Sequence, residues 1–359
     1  MKILYDATIF SSQRVGGISR YHYELYKGTR NLNFHPNIAG LFTKNKYTLT
    51  DPILKKALIK DSMAAFATVN KFLLKRALKK ADQDTIYHPS ILYRQVFDVI
   101  PKDIKVVMTI HDMIIERETK QIDELRLDYA NRADKIIAIS QTTKDDIIDI
   151  LKIPEEKIEV IYHGCSLSLK GARKPKTALP DKYILYVGGR GKHKNLPFLL
   201  SSIADILHKN EDLYIVFTGN REFSEEEIQL LQELDIENKV KIMTRLEDEE
   251  LAYVYSKSLA FIFPSILEGF GIPILEAWSC QTPALLSENK CFKEIGGDAA
   301  IYFDPYCKKS LENAVNDILN NEDMREEMIK KGTKRLELFS WKKASKQVAD
   351  VYKSVLQEN

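Results

Sequence analysis

The stretch that most constrains this chain is 261–278, which reads FIFPSILEGFGIPILEAW. The apolar run from Leu259 to Phe263 has the length and unbroken hydrophobicity of a strand buried on both faces, as in a parallel sheet. Pro264 and Ser265 stop that strand, and Gly269 and Gly271 permit tight or left-handed backbone. Pro273 suits the first turn of a helix that Ile274, Leu275 and Ala277 continue. Strand, glycine loop and helix start in that order leave free amides and the positive end of the helix dipole at the loop, a place for phosphate or another anion. Two carboxylates flank it, Glu268 and, one turn into the helix, Glu276. A carboxylate repels phosphate but accepts hydrogen bonds from hydroxyls. The stretch therefore points to a phosphorylated, hydroxyl-rich ligand such as a nucleotide sugar.

The rest of the chain gives this unit a large setting. Its 359 residues suffice for two domains with separate cores, and 44% hydrophobic with 29% charged residues describes a soluble globular protein. No apolar run reaches about 18 residues, and MKILYDATIF starts as a strand without a secretory pattern. Cys165, Cys280, Cys291 and Cys307 show neither CxxC spacing nor neighbouring histidine pairs, which argues against zinc and disulfides and for the cytoplasm.

Charge is uneven. Residues 1–172 hold 27 Lys/Arg against 21 Asp/Glu (+6), and 173–359 hold 26 against 30 (−4). The basic half is the one suited to an anionic partner, although no nucleic-acid-binding module is present. Within it, 55–80 carries eight basic residues and the single acid Asp61, with apolar residues at near-helical spacing. That segment reads either as a surface helix pair or as a patch for anionic lipid headgroups, where the protein would meet the inner face of the cell membrane.

Three more loops follow apolar strands. Gly16 and Gly17 open a helix after KILYDATIF, again presenting backbone amides. His111 and Asp112 end VVMTI, where open α/β sheets bind ligands. After a proline-containing break at 171–182, YILYVGGRGKHKN restarts a strand-loop-helix unit. It contains neither GxGxxG nor a P-loop, but it places Arg190, Lys192, His193 and Lys194 before a helix, where cations can neutralise a diphosphate leaving group. The Asp82–Asp84 pair lacks any feature that would make it a metal site, and no metal ligand set is found elsewhere.

PSxxEGFGxPxxEA, with its glutamates eight apart, resembles the E-x7-E signature of the GT-B glycosyltransferases of retaining family 4. GGISRY, HDMI, IYHG, VGGRGKHKN and FSWKKASKQVADVYKSVL resemble other elements of that family and extend the likeness over nearly the whole chain. It implies two Rossmann-like α/β domains facing a cleft: 1–170 on the acceptor side, joined by the closing helix 341–359, and 173–340 for the nucleotide-sugar donor. It implies that Arg190 and Lys194 hold the diphosphate, Glu268 the donor sugar's hydroxyls and Glu276 the ribose, with His111 at the reacting face. Gly17, Gly219, Asn220, Arg245, Leu246, Gly269, Phe270, Gly271 and Ile272 would complete the donor site, with Gly16 and Asp112 on the acceptor side. No cofactor or metal is implied beyond the donor. The reaction would be hexosyl transfer with retention, to a glycan or lipid-linked acceptor, as in bacterial surface-polysaccharide mannosyltransferases that use GDP-mannose. A GT-B epimerase and a non-catalytic membrane scaffold are the alternatives. The first is disfavoured by the E-x7-E arrangement, the second by the joint presence of Glu268, Glu276, Lys194 and His111.

Overall fold

The structure, a computed structural model, describes residues 1–57, 59–60, 65–219 and 221–357. The chain divides into two units, Met1–Gly164 with Ser340–Asn359, and Cys165–Phe339.

The main sheet of the first unit has six parallel strands: β1 (Lys2–Asp6), β2 (His35–Ala39), β3 (Thr85–His88), β4 (Lys105–Ile110), β5 (Lys135–Ala138) and β6 (Ile158–Val160). Their order is β2-β1-β3-β4-β5-β6, all neighbours parallel. KILYD is buried on both faces because successive side chains alternate: Ile3 and Tyr5 join one core, Leu4 the other. The first core includes Tyr21, Leu25 and Tyr26 of the helix Gly17–Asn31 and Val348, Tyr352 and Val355 of the helix Trp341–Gln357. The second includes Leu74 and Leu78 of the helix Ala65–Leu78. The strand order reverses between β1 and β3, and buried Asp6 ties the two ends together. Its carboxylate accepts from Ser90 N at 2.7 Å, Ser90 Oγ at 2.6 Å and Thr8 N at 2.9 Å.

The second unit repeats the plan with β7 (Lys182–Val187), β8 (Leu213–Gly219), β9 (Val240–Thr244), β10 (Ala260–Phe263), β11 (Ala284–Ser287) and β12 (Ile301–Phe303). The order is β9-β8-β7-β10-β11-β12, so within the unit it runs 3-2-1-4-5-6, the doubly wound order. Its switch point lies between β7 and β10. One face packs Ile184, Tyr186, Ile215, Phe217 and Ile262 against the helices Leu196–Lys209 and Lys308–Asn320. The strand, loop and helix expected around 261–278 are β10, 264–271 and Ile272–Ser279.

The boundary between units falls at Gly164, before the basic break at 171–182. Residues 165–173 belong to the second unit because they are fastened to it. Arg173 N donates to Glu249 O at 3.1 Å, and Arg173 pairs with Glu250 at 3.8 Å. In the segment 55–80, residues 58 and 61–64 lie outside the described residues. The helix 65–78 buries Asn70, Leu74 and Leu78 and turns Thr68, Phe72 and Arg76 outward, each set at four-residue steps. Asn70 fixes it by accepting from Leu41 N (2.8 Å) and Phe42 N (2.9 Å) and donating to Phe42 O (2.7 Å). Among the described residues, no helix is long and apolar enough to cross a membrane.

Candidate functional site

In the second unit the loops after β7 and β10, the two strands flanking the switch point, are joined twice. Ile266 N donates to His193 O at 2.8 Å, and Lys194 Nζ pairs with Glu268 Oε1 at 2.5 Å. Both side chains are largely but not wholly enclosed, and Lys194 also lies over the Phe263 ring at 5.0 Å. The two residues stand 74 apart in the chain with opposite charges, and the fold makes them partners. Gly271 alone of the two loop glycines takes a left-handed backbone, φ 104°, and starts the helix 272–279 with Pro273 in its first turn. A β-carbon at Gly271 would lie 2.8 Å from Ile274 Cδ1 and 3.1 Å from Phe292. Phe270 is buried against Phe339, and its carbonyl accepts from Cys291 Sγ. The loop is braced from behind by Ser287 Oγ and Asn289 Nδ2, both of which donate to Ser265 O.

Arg190 is engaged elsewhere. Its buried guanidinium donates from Nε to Glu227 Oε1 at 3.0 Å and from Nη2 to the carbonyls of Arg221 (3.1 Å) and Glu222 (2.6 Å), above the Phe223 ring. It therefore holds the 221–227 segment that follows β8 and is not joined to Lys194. The hydrogen bonds from Arg190 and Ser224 and the charges of Arg190 and Arg221 lower the Glu227 carboxyl pKa despite its partial burial. Gly219 ends β8 and accepts from the amide of Arg245, an exposed residue in left-handed conformation (φ 59°), with half-buried Leu246 beside it. Asn220 lies outside the described residues. Glu276 is met by a residue the sequence did not single out: Tyr255 Oη donates to its Oε2 at 3.2 Å. Gly188 and Gly189, at the end of β7, face space where a β-carbon would touch nothing.

In the first unit His111 follows β4 directly, and the helix starting at Gly17 delivers Tyr21 edge-on to its ring at 4.9 Å. His163 stacks on the same imidazole at 5.7 Å. Behind them lie His22 and His88, with His22 5.5 Å from His88 and 6.1 Å from His111. Burial makes all four imidazoles hard to protonate, which brings His88 down to about 3 and His111 to about 4. The Nε2 atom of His111 is buried without a hydrogen-bond partner among the described residues. A hydroxyl chain threads the cluster: Tyr21 Oη to Thr109 Oγ1 (2.8 Å), Thr109 to His88 Nε2 (2.9 Å), His88 Nδ1 to Tyr352 Oη (2.6 Å). Asp112 accepts from Ile114 N, and its carbonyl accepts from Arg126. At the helix start after Gly16, Gln13 Oε1 accepts from Ser19 N at 3.3 Å, so one amide of that first turn is met by the chain itself.

Family profiles match both halves. Residues 15–169 fit the profile described as Glycosyltransferase Family 4, and residues 170–335 the one described as Glycosyl transferases group 1. The chain belongs to the family 4, group 1 glycosyltransferases. O-antigen chain mannosyltransferase B of Escherichia coli is 26% identical over 291 residues, 76% of this chain and 74% of that protein. O-antigen chain mannosyltransferase RfbU of Salmonella typhimurium is 32% identical over 187 residues, about half of each chain. Among solved structures, sucrose-phosphate synthase from Thermosynechococcus elongatus matches over the whole of both chains with TM-score 0.78 at 20% identity. The Anabaena protein HepE, in complex with UDP and glucose, matches with TM-score 0.75 at 17% identity over 99% of this chain and all of that one. These neighbours share the GT-B fold, and this glycosyltransferase has that fold too.

Proposed function

We propose that this glycosyltransferase moves a hexose, mannose in the first instance, from a nucleotide diphosphate sugar to a hydroxyl of a glycan or lipid-linked acceptor in surface-polysaccharide synthesis. The observation that carries the reading is the Lys194–Glu268 pair at the switch point of the second unit, with Glu276 on the helix that follows. A diphosphate arriving there offers Lys194 a doubly charged partner, which frees Glu268 to accept from sugar hydroxyls. Glu276 then takes the ribose, and the amides of Gly269, Phe270, Gly271 and Ile272 lie beside the phosphates. His111, neutral and with an unpartnered nitrogen, meets the sugar. Transfer proceeds with retention. The acceptor oxygen bonds to the anomeric carbon on the face from which the diphosphate leaves, the carbon–oxygen bond to the diphosphate breaks, and the acceptor proton passes to that leaving group. The relatives' names support mannose and O-antigen, hence GDP-mannose as first donor.

The same reading makes the enzyme metal-independent and places it at the cytoplasmic face of the membrane. Exposed Phe72 beside Arg76, Lys79 and Lys80 supports a peripheral contact with anionic lipid. A thermal-shift panel of UDP, GDP, ADP and dTDP and their sugars, run in EDTA, tests the donor. A ligand at about 100 times its Kd stabilises by about 2.7 kcal/mol, so one nucleotide standing out supports the site. GDP-mannose failing to shift the melting point while another donor does so would replace mannose, and silence from every nucleotide would remove the donor site.

A further inference from the structure

The donor reading leaves open how Glu276 is held ready for a ribose. Tyr255 lies on the helix Asp248–Lys257, which packs along 272–279; its ring is fully buried and meets Phe261 edge-on at 5.8 Å. Its hydroxyl has one proton and two acceptors within reach, Glu276 Oε2 at 3.2 Å and Pro273 O at 3.4 Å. The carboxylate is the closer and the charged one, so it takes the proton. Both acceptors stand in the first turns of the helix that carries the donor motif, so a single phenol fixes the helix start and the carboxylate together.

We propose that Tyr255 is a positioning residue for nucleotide recognition: by holding Oε2 it aims the Glu276 carboxylate at the ribose hydroxyls before the nucleotide arrives. The inference rests on the donor reading above. A carboxylate offers about four lone-pair sites, so the bond from Tyr255 does not by itself use up its capacity for a vicinal diol. Burial and the Glu276 charge push the phenol well above its ordinary value, which keeps it a donor throughout the neutral range. Without the hydroxyl, Glu276 loses one contact that orients it, and more of the cost of ordering it falls on the ligand's affinity.

The experiment measures, by calorimetry on the full chain, binding of ADP, GDP and UDP and of each 2′-deoxy counterpart to wild type, Tyr255→Phe and Glu276→Gln. Wild type is expected to prefer the ribo form of its nucleotide. Tyr255→Phe should lose roughly three- to tenfold of that preference with its affinity for the deoxy form unchanged, and Glu276→Gln should lose the preference. Full preference in Tyr255→Phe with loss in Glu276→Gln overturns the positioning role and leaves the donor reading standing. Equal weakening of ribo and deoxy forms in Tyr255→Phe reduces the residue to packing and also overturns it. Full preference in Glu276→Gln, or no binding of any of the three nucleotides, overturns the ribose assignment itself.

Discussion

The two units build the same object, a six-stranded parallel sheet with loops at its carboxyl edge, and fill that edge with opposite electrostatics. The second unit keeps charges and pairs them: Lys194 with Glu268, Arg190 and Arg221 with Glu227. Around His111 the first unit instead gathers uncharged groups: His22, His88, His111 and His163 crowd with Tyr5, Tyr21 and Tyr352, linked by ring contacts and neutral hydroxyls. Sheet topology fixes where a ligand can bind; the loops decide what kind. Paired ions suit an anion that can displace one partner. A neutral aromatic box gives directional hydrogen bonds and contact area without competing for that anion.

The largest expected effect exposes this difference with acid. The four clustered histidines resist protonation in the folded chain, whereas in the unfolded chain they titrate near 6.5. Below that pH the unfolded state binds protons the folded state refuses, so stability present at pH 7 is lost as pH falls towards the folded values of about 3 and 4 for His88 and His111. Those two alone cost about 4 kcal/mol at pH 5, with His22 and His163 acting in the same direction. Urea midpoints at pH 7, 6 and 5, read by probes in each unit, should show the first unit failing earlier. Parallel shifts in both would break the contrast.

Next comes Lys194→Ala, which removes a charge-assisted contact worth about 1.5–3 kcal/mol and should lower turnover about ten- to a hundredfold or more while melting near wild type. Near-normal transfer would take Lys194 out of the reaction. Arg190→Ala should do the reverse, lowering stability by about 2 kcal/mol because Glu227 and two carbonyls lose a buried donor. A variant that melts normally but cannot bind nucleotide would return Arg190 to the phosphates. The smallest change is Gly271→Ala, which costs about 1–2 kcal/mol from the left-handed backbone alone, visible in the melting temperature. No loss there would mean the loop relaxes into another conformation.

What was legible in the sequence was local. Pro264, Gly271 and Pro273 punctuate the backbone within a few residues of themselves, so the strand, loop and helix of 261–278 could be read directly. The alternation of KILYD and the apolar runs of the other strands likewise report burial on both faces. Partnerships across the fold were not legible. Arg190 meets Glu227 from another helix, Glu276 meets Tyr255 from another, and the histidine cluster is assembled from four separate elements. Nothing in GGISRY shows that Gln13 folds back onto the Ser19 amide. The contacts that fasten Arg173 to Glu249 and Glu250 are likewise not legible in a basic, proline-bearing stretch that reads as a linker.

The helix 341–357 completes the core of a sheet whose own strands end before residue 164. Ser345 closes on Gly28 so tightly that a β-carbon there would collide with it, and Trp341 closes on Gly164 in the same way. On the ribosome, residues 1–164 therefore emerge without the wall their hydrophobic face requires. Synthesis at about 5–20 residues per second imposes a wait of roughly ten seconds or more while the intervening unit is made. The unit begun before its neighbour is finished after it, and through that interval its unfinished face is what a chaperone or an aggregating neighbour would find.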